Sequence, residues 1–161
     1  SEEDMKIIKS DFDFFGVNYY HGFYVENTGD GMKKISFTPS NKITAMNWTV
    51  TPEGIEYLVR YYYERYGLPI LFAENGVAIS EWKTLKGDIP DDMRIDYIRR
   101  HLEEIKKVYF YWSFMDNFEW ALGYTKRFGL VYVDYETLER TPKKSAYWYK
   151  KVIETNGEDL S

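Results

Sequence analysis

The chain has 161 residues, with 21 lysines and arginines against 26 aspartates and glutamates, a formal net charge of −5. It has no cysteine, which excludes disulfides, thiolate metal sites and a cysteine nucleophile and leaves His21 and His101 as the two imidazoles. The acidic balance argues against a nucleic-acid partner, and no apolar run reaches the roughly 20 residues that cross a bilayer, so one soluble, cytoplasmic domain without metal or cofactor is expected.

Asp11 to Tyr20 is rich in strand-forming aromatic and branched residues and reads as a buried strand. His21 to Asn47 loses all periodicity and reads as a long loop, with a short strand at Lys34 to Phe37. Thr51-Pro52 reads as an N-cap with proline at the first helical position, and Ile55, Leu58, Val59, Tyr62 and Tyr66 recur at helical spacing until Gly67 and Pro69. Ile70 to Ala73 is a short apolar strand that delivers Glu74-Asn75-Gly76 at its carboxyl end. A second helix, Asp92 to Lys107, carries Ile95, Ile98, Leu102 and Ile105 on one face, and Val108 to Phe114 reads as a further buried strand. Phe128 to Asp134 is a last short strand, and Thr141-Pro142 starts a final helix with Ala146, Tyr149, Val152 and Ile153 inward and Gly157 at its end. Strand alternating with helix predicts an α/β fold with parallel strands. The joint at Lys107-Val108 is too short, because helix-to-strand connections take about 2–6 residues.

The chemistry gathers at strand ends, where α/β folds place ligands. Glu74 stands at one such end, against the plain reading of a solvent-facing acid. Tyr, Phe and Trp make 19% of the chain, and Tyr109 to Tyr124 is an aromatic run interrupted by Asp116, Asn117 and Glu119. Indole rings stack on the C–H faces of sugars and carboxylates grip their hydroxyl rims, so Trp112, Glu119 and Trp120 suit a pyranose; core packing accounts for Phe114 and Met115 but not for Glu119. Asn18 and Tyr20 share a parity at the end of the first strand, and Tyr19 does not. A tyrosine hydroxyl bonded to Glu74 would orient it and favour its ionised form. His101 reads as structural, and the pairs Lys106-Lys107, Lys143-Lys144 and Lys150-Lys151 read as solvated helix faces.

Asp13 to Tyr20, Pro52-Glu53-Gly54, Leu68-Pro69-Ile70 leading to Glu74-Asn75-Gly76, Arg94 to Tyr97 and Trp112 to Trp120 together resemble the retaining β-glycosidases of glycoside hydrolase family 1. The resemblance implies a (β/α)₈ barrel. A complete one takes about 250 residues, so the chain would be the C-terminal portion, strands 6 to 8 with their helices and no internal domain boundary. By motif position Glu74 is implied as nucleophile and Tyr20 as the residue orienting it, with Asn18, Trp112, Glu119, Trp120 and Phe128 implied as sugar-binding. The implied reaction is double displacement on terminal β-linked glucosides or galactosides. Two departures stand out: Ala73 replaces the family's threonine before the nucleophile, and the Asn-Glu pair that carries the acid/base occurs nowhere in the sequence. The family also has a longer connection at Lys107-Val108, so about ten residues are expected to be absent there. The expected substrate is a β-glycoside or oligosaccharide, and the expected partner is the N-terminal portion of the same barrel. A non-catalytic sugar-binding module and an engineered barrel fragment are the competing readings.

Overall fold

A computed structural model describes residues 1–9, 11–36, 42–105 and 109–161. The expected break between Lys107 and Val108 lies outside the described residues, as does Phe37. Helix α1 (Glu2–Ile8) opens the chain on a capping box between Ser1 and Asp4. It was not visible in the hydrophobic pattern because it buries no residue.

Three parallel strands form the central sheet in the order β1 (Phe15–Asn18), β4 (Ile70–Asn75), β5 (Tyr109–Tyr111). The expected strands are present but shorter at their ends, except β4, which runs on through Glu74 and Asn75. Asn18 lies opposite Glu74 across an irregularity in the β1–β4 register, and Asn75 lies opposite Tyr111. The loop between β1 and the next helix is not structureless: Val25–Asn27 (β2) and Met32–Lys34 (β3) pair as an antiparallel hairpin. The strand expected at Lys34 therefore ends there rather than starting.

Helix α2 (Gly54–Tyr66) begins later than expected and has no side-chain cap. Thr51 is used elsewhere, accepting from the Gly22 amide at 2.7 Å and sitting 3.2 Å from the Tyr19 hydroxyl. The helix ends as read, with Gly67 at φ +66°, a conformation a Cβ disfavours. Helix α3 (Asp92–Glu104) follows β4, and α4 (Lys144–Glu154) closes the chain. Between β5 and α4 lie a short 3₁₀ turn (Trp120–Leu122) and an antiparallel pair, β6 (Val131–Val133) and β7 (Arg140–Pro142). Because Thr141 and Pro142 pair with β6, the last helix starts only at Lys144.

Two apolar clusters hold the helices on the sheet. One joins Val17, Tyr19 and Phe72 to Ile55 of α2 and Ile105. The other joins Val77, Ile79 and Leu130 to Tyr97 and Ile98 of α3, with Ala146 and Tyr149 of α4 packed on it. Three expectations about side chains are corrected. Phe114 is 70% exposed and Ile153 65% exposed, so neither is core. Lys143, read as solvated, is fully buried because two carboxylates surround its ammonium group. Among the described residues no helix is long and apolar enough to cross a membrane.

Candidate active site

Parallel pairing brings the carboxyl ends of β1, β4 and β5 side by side. The Tyr19 amide donates to the Glu74 carbonyl at 3.0 Å, and the Trp112 amide donates to the Asn75 carbonyl at 2.7 Å. The second approach is so close that a Cβ at Gly76 would collide with the Trp112 carbonyl oxygen. Glu74-Asn75-Gly76 therefore divides its work: a half-buried carboxylate, a fully buried amide and a residue that must lack a side chain.

Tyr20 stands two residues beyond the end of β1, on the parity predicted for it, and its hydroxyl donates to Glu74 Oε2 at 2.7 Å. Burial raises the Tyr20 hydroxyl well above its ordinary pKa, with the bond to Glu74 adding to it, so it stays a proton donor. Tyr19, of opposite parity, points to the core and donates to the Thr51 carbonyl at 2.5 Å. The Asn75 amide donates to the Tyr19 carbonyl at 2.5 Å and to the Tyr97 hydroxyl at 3.2 Å, and its oxygen accepts from the Tyr109 hydroxyl at 2.8 Å. Tyr97 in turn donates to the Tyr20 carbonyl at 2.8 Å. The Tyr20–Glu74 pair thus rests on a buried polar backing drawn from all three strands and α3.

Glu119 is close enough to this pair to feel it. Burial raises its carboxyl pKa first, and repulsion from Glu74 raises it further. Its amide donates to the Gly123 carbonyl at 2.7 Å. Trp112 is half-buried after β5, whereas Asn18 is exposed and Trp120 is 79% exposed at φ +44°. Phe128 is buried, edge-on to Tyr20 with ring centroids 6.1 Å apart, so its ring backs Tyr20 rather than offering an open face.

One aromatic was missed: Trp48, 5.5 Å from the Tyr20 ring and 6.3 Å from Phe128, with His21 stacked on it at 4.9 Å. A lone tryptophan in a polar loop was the signal. Asn75 and Tyr97 belonged to the quoted motifs but were given no role. His101 is structural as expected: its Nδ1 lies 2.7 Å from the Tyr97 carbonyl oxygen and its ring stacks on Tyr97 at 3.9 Å. A cavity of about 620 Å³ lined by Thr44, Val50, Val77, Ile79, Met93 and Tyr97 holds none of the expected site residues.

Residues 1–158 match glycosyl hydrolase family 1. The chain belongs to this family. It is 43% identical to a 1,4-β-D-glucan glucohydrolase of Thermotoga neapolitana, a match covering 97% of this chain and 38% of that protein. It is 41% identical to β-glucosidase A of Thermotoga maritima over 97% of this chain and 37% of that one. Solved structures agree: the family 1 β-glucosidase from Thermotoga maritima superposes with a TM-score of 0.88 at 39% identity, covering 98% of this chain and 38% of that chain. A complex of the Thermotoga maritima β-glucosidase with glucoimidazole gives the same score at 40% identity, over 97% of this chain and 38% of that chain. The family 1 chain described here therefore spans about two fifths of the relatives it matches.

Proposed function

We propose that this chain is the C-terminal portion of a retaining β-glycosidase of the β-glucosidase type, supplying strands 6 to 8 of a (β/α)₈ barrel and one of its two catalytic carboxylates. The observation that carries the reading is the 2.7 Å bond from the Tyr20 hydroxyl to Glu74 at adjacent parallel strand ends, with Glu119 near enough for its carboxyl to be raised by Glu74. In this reading Glu74 attacks the anomeric carbon and displaces the aglycone to form a glycosyl ester; water then cleaves the ester with inversion at the same carbon, giving net retention. Tyr20 holds the attacking oxygen's orientation. Glu119 grips sugar hydroxyls, Trp112 is the stacking platform, Asn18 and Trp120 complete the glycone side, and Phe128 backs Tyr20 from behind.

The acid/base comes from outside this chain, since the sequence contains no Asn-Glu pair. The partner is the N-terminal barrel portion, which would pair with the outer edges of β1 and β5, each bonded only to β4 among the described strands. The substrate is a terminal β-glucoside or β-galactoside, and solved structures of the Thermotoga maritima β-glucosidase are described as complexes with glucoimidazole, deoxynojirimycin or galacto-hydroximolactam. An absence of about ten residues at Lys107-Val108 belongs to the same reading. It is supported by the match to the Thermotoga neapolitana protein, which runs over 167 positions while drawing on 97% of these 161 residues. A cytoplasmic location completes the proposal and is open to fractionation of the native host. The enzyme names of the relatives do not favour a purely sugar-binding module.

The test mixes this chain with the N-terminal portion of the Thermotoga maritima enzyme and follows hydrolysis of an aryl β-glucoside. A 2-fluoro glucoside should label Glu74, seen by mass spectrometry of the peptide, and Glu74→Gln should abolish both turnover and label. No turnover by the mixture, or a label on another residue, overturns the proposal.

A further inference from the structure

Six charged groups are buried together beside the site, and the mechanism above uses none of them. Three are cations, Arg94, Arg127 and Lys143, and three are carboxylates, Glu81, Asp91 and Asp116, so the cluster is formally neutral. Their side chains are 0–1% exposed except that of Arg127, at 18%. They come from four segments. Glu81 follows β4, Asp91 and Arg94 begin α3, Asp116 and Arg127 stand at the two feet of the aromatic loop, and Lys143 precedes α4.

The bonds join two of those segments in particular. Arg94 donates to Glu81 at 2.7 Å and to the Val77 carbonyl on the path leaving β4. It also donates to the Phe128 and Arg127 carbonyls, at 2.9 and 3.1 Å, on the path leaving the aromatic loop. Lys143 repeats the connection between side chains, pairing with Glu81 on one side and with Asp116 at 2.9 Å on the other. Asp116 also accepts from Arg127 Nη1 at 2.6 Å, from the Gly129 amide at 2.9 Å and from the Val133 amide at 3.4 Å. Asp116 lies three residues before Glu119.

We propose that Lys143 is a positioning residue, holding the Glu119 loop at a fixed distance from the Glu74 strand through its ion pairs with Asp116 and Glu81. This rests on the reading of Glu119 as the sugar-gripping carboxylate. Fold stability alone does not call for such a cluster, since buried ion pairs can be replaced by well-packed apolar residues at little cost. What charge adds is directional bonding between two loops from different strands. Glu119 needs such support because, among the described residues, its amide bonds within the loop, to Gly123, and the neighbouring Trp120 is largely in solvent.

Two readouts test the proposal. In the mixture with the N-terminal portion, Lys143→Met should lower kcat/KM for an aryl β-glucoside about tenfold or more, and Lys143→Arg should recover most of it. In a Glu119→Ala background the same change should cost less than about threefold, because the two residues act in series. Equal factors in both backgrounds, or no loss in the first, overturn the role. In the chain alone, labelled with 5-fluorotryptophan, Lys143→Met should shift or broaden the Trp120 resonance and spare Trp148; an unmoved Trp120 signal overturns it as well. Should Lys143→Met fail to fold by circular dichroism, Glu81→Gln with Lys143→Met keeps the interior neutral and carries the same comparisons. A silent wild-type mixture with a shifted Trp120 resonance would sink the proposed function and leave the positioning role standing.

Discussion

Removing the Tyr20 hydroxyl takes a hydrogen bond from an ionised group while leaving the ring packed against Phe128 and Trp48. Such bonds contribute about 1.5–3 kcal/mol, so Tyr20→Phe should lower kcat/KM of the mixture roughly 10–100-fold. An unchanged kcat/KM would mean that the Tyr20 hydroxyl does not hold Glu74 in place. His101 gives a separate prediction about stability. Burial lowers its pKa from 6.5 to about 4, and its Nε2 has no partner among the described residues. Between those values the unfolded chain holds more protons than the folded one, so stability falls as pH drops from 6.5 towards 4 and levels off below. The component is about 3 kcal/mol. Urea unfolding at pH 7 and pH 4.5 should show His101→Phe losing less stability over this interval than the parent chain; equal losses would show that His101 contributes nothing to the acid sensitivity.

At the scale of elements, the junction of β4 and β5 is set by backbone contact. Gly76→Ala places a methyl group against the Trp112 carbonyl, which is main chain and cannot rotate away. Expected is a loss of about 1–3 kcal/mol from forced overpacking, read from the urea midpoint, together with loss of the 2-fluoro glucoside label as Glu74 and Trp112 separate. Retained stability and labelling would show that the junction can yield. This glycine was legible as part of a motif, but its reason was not, because the atom it must avoid is 36 positions away in the chain. The start of α2 shows the same limit. Thr51-Pro52 has every local mark of a helix start, yet Thr51 instead bonds Gly22, 29 residues earlier. The hairpin β2–β3 escaped notice because all six of its residues are exposed, which leaves no apolar alternation to read.

At the scale of the whole molecule, the central sheet holds three described strands. Among the described strands β1 and β5 each pair only with β4, and open parallel edges are unusual in α/β folds. Hydrogen exchange should therefore slow at β1 and β5 amides when the N-terminal portion is added, with little change in α3 and α4. Uniform protection, or none, would count against barrel completion at those edges. The charge cluster is likewise a property of the whole chain. Lys143→Met alone leaves Glu81 and Asp116 buried without their shared cation, which should cost about 3–5 kcal/mol. Removing Glu81 with it should recover part of that loss in thermal unfolding.

The α/β class, the alternation of the three parallel strands with α2, α3 and α4, and the placement of Glu74 and Tyr20 at strand ends were readable from local pattern. Side-chain parity, Gly67 and the apolar strand before Glu74 act within a few residues. Tertiary structure alone decided what depends on groups distant in sequence. Asn75 became a bridge among three strands and α3, Trp48 came to pack on Tyr20, and Lys143 exchanged a solvated helix face for two buried carboxylates. Lysine carries no local mark of burial: its charge can leave water only where the fold has already gathered compensating acids, here from positions 81 and 116.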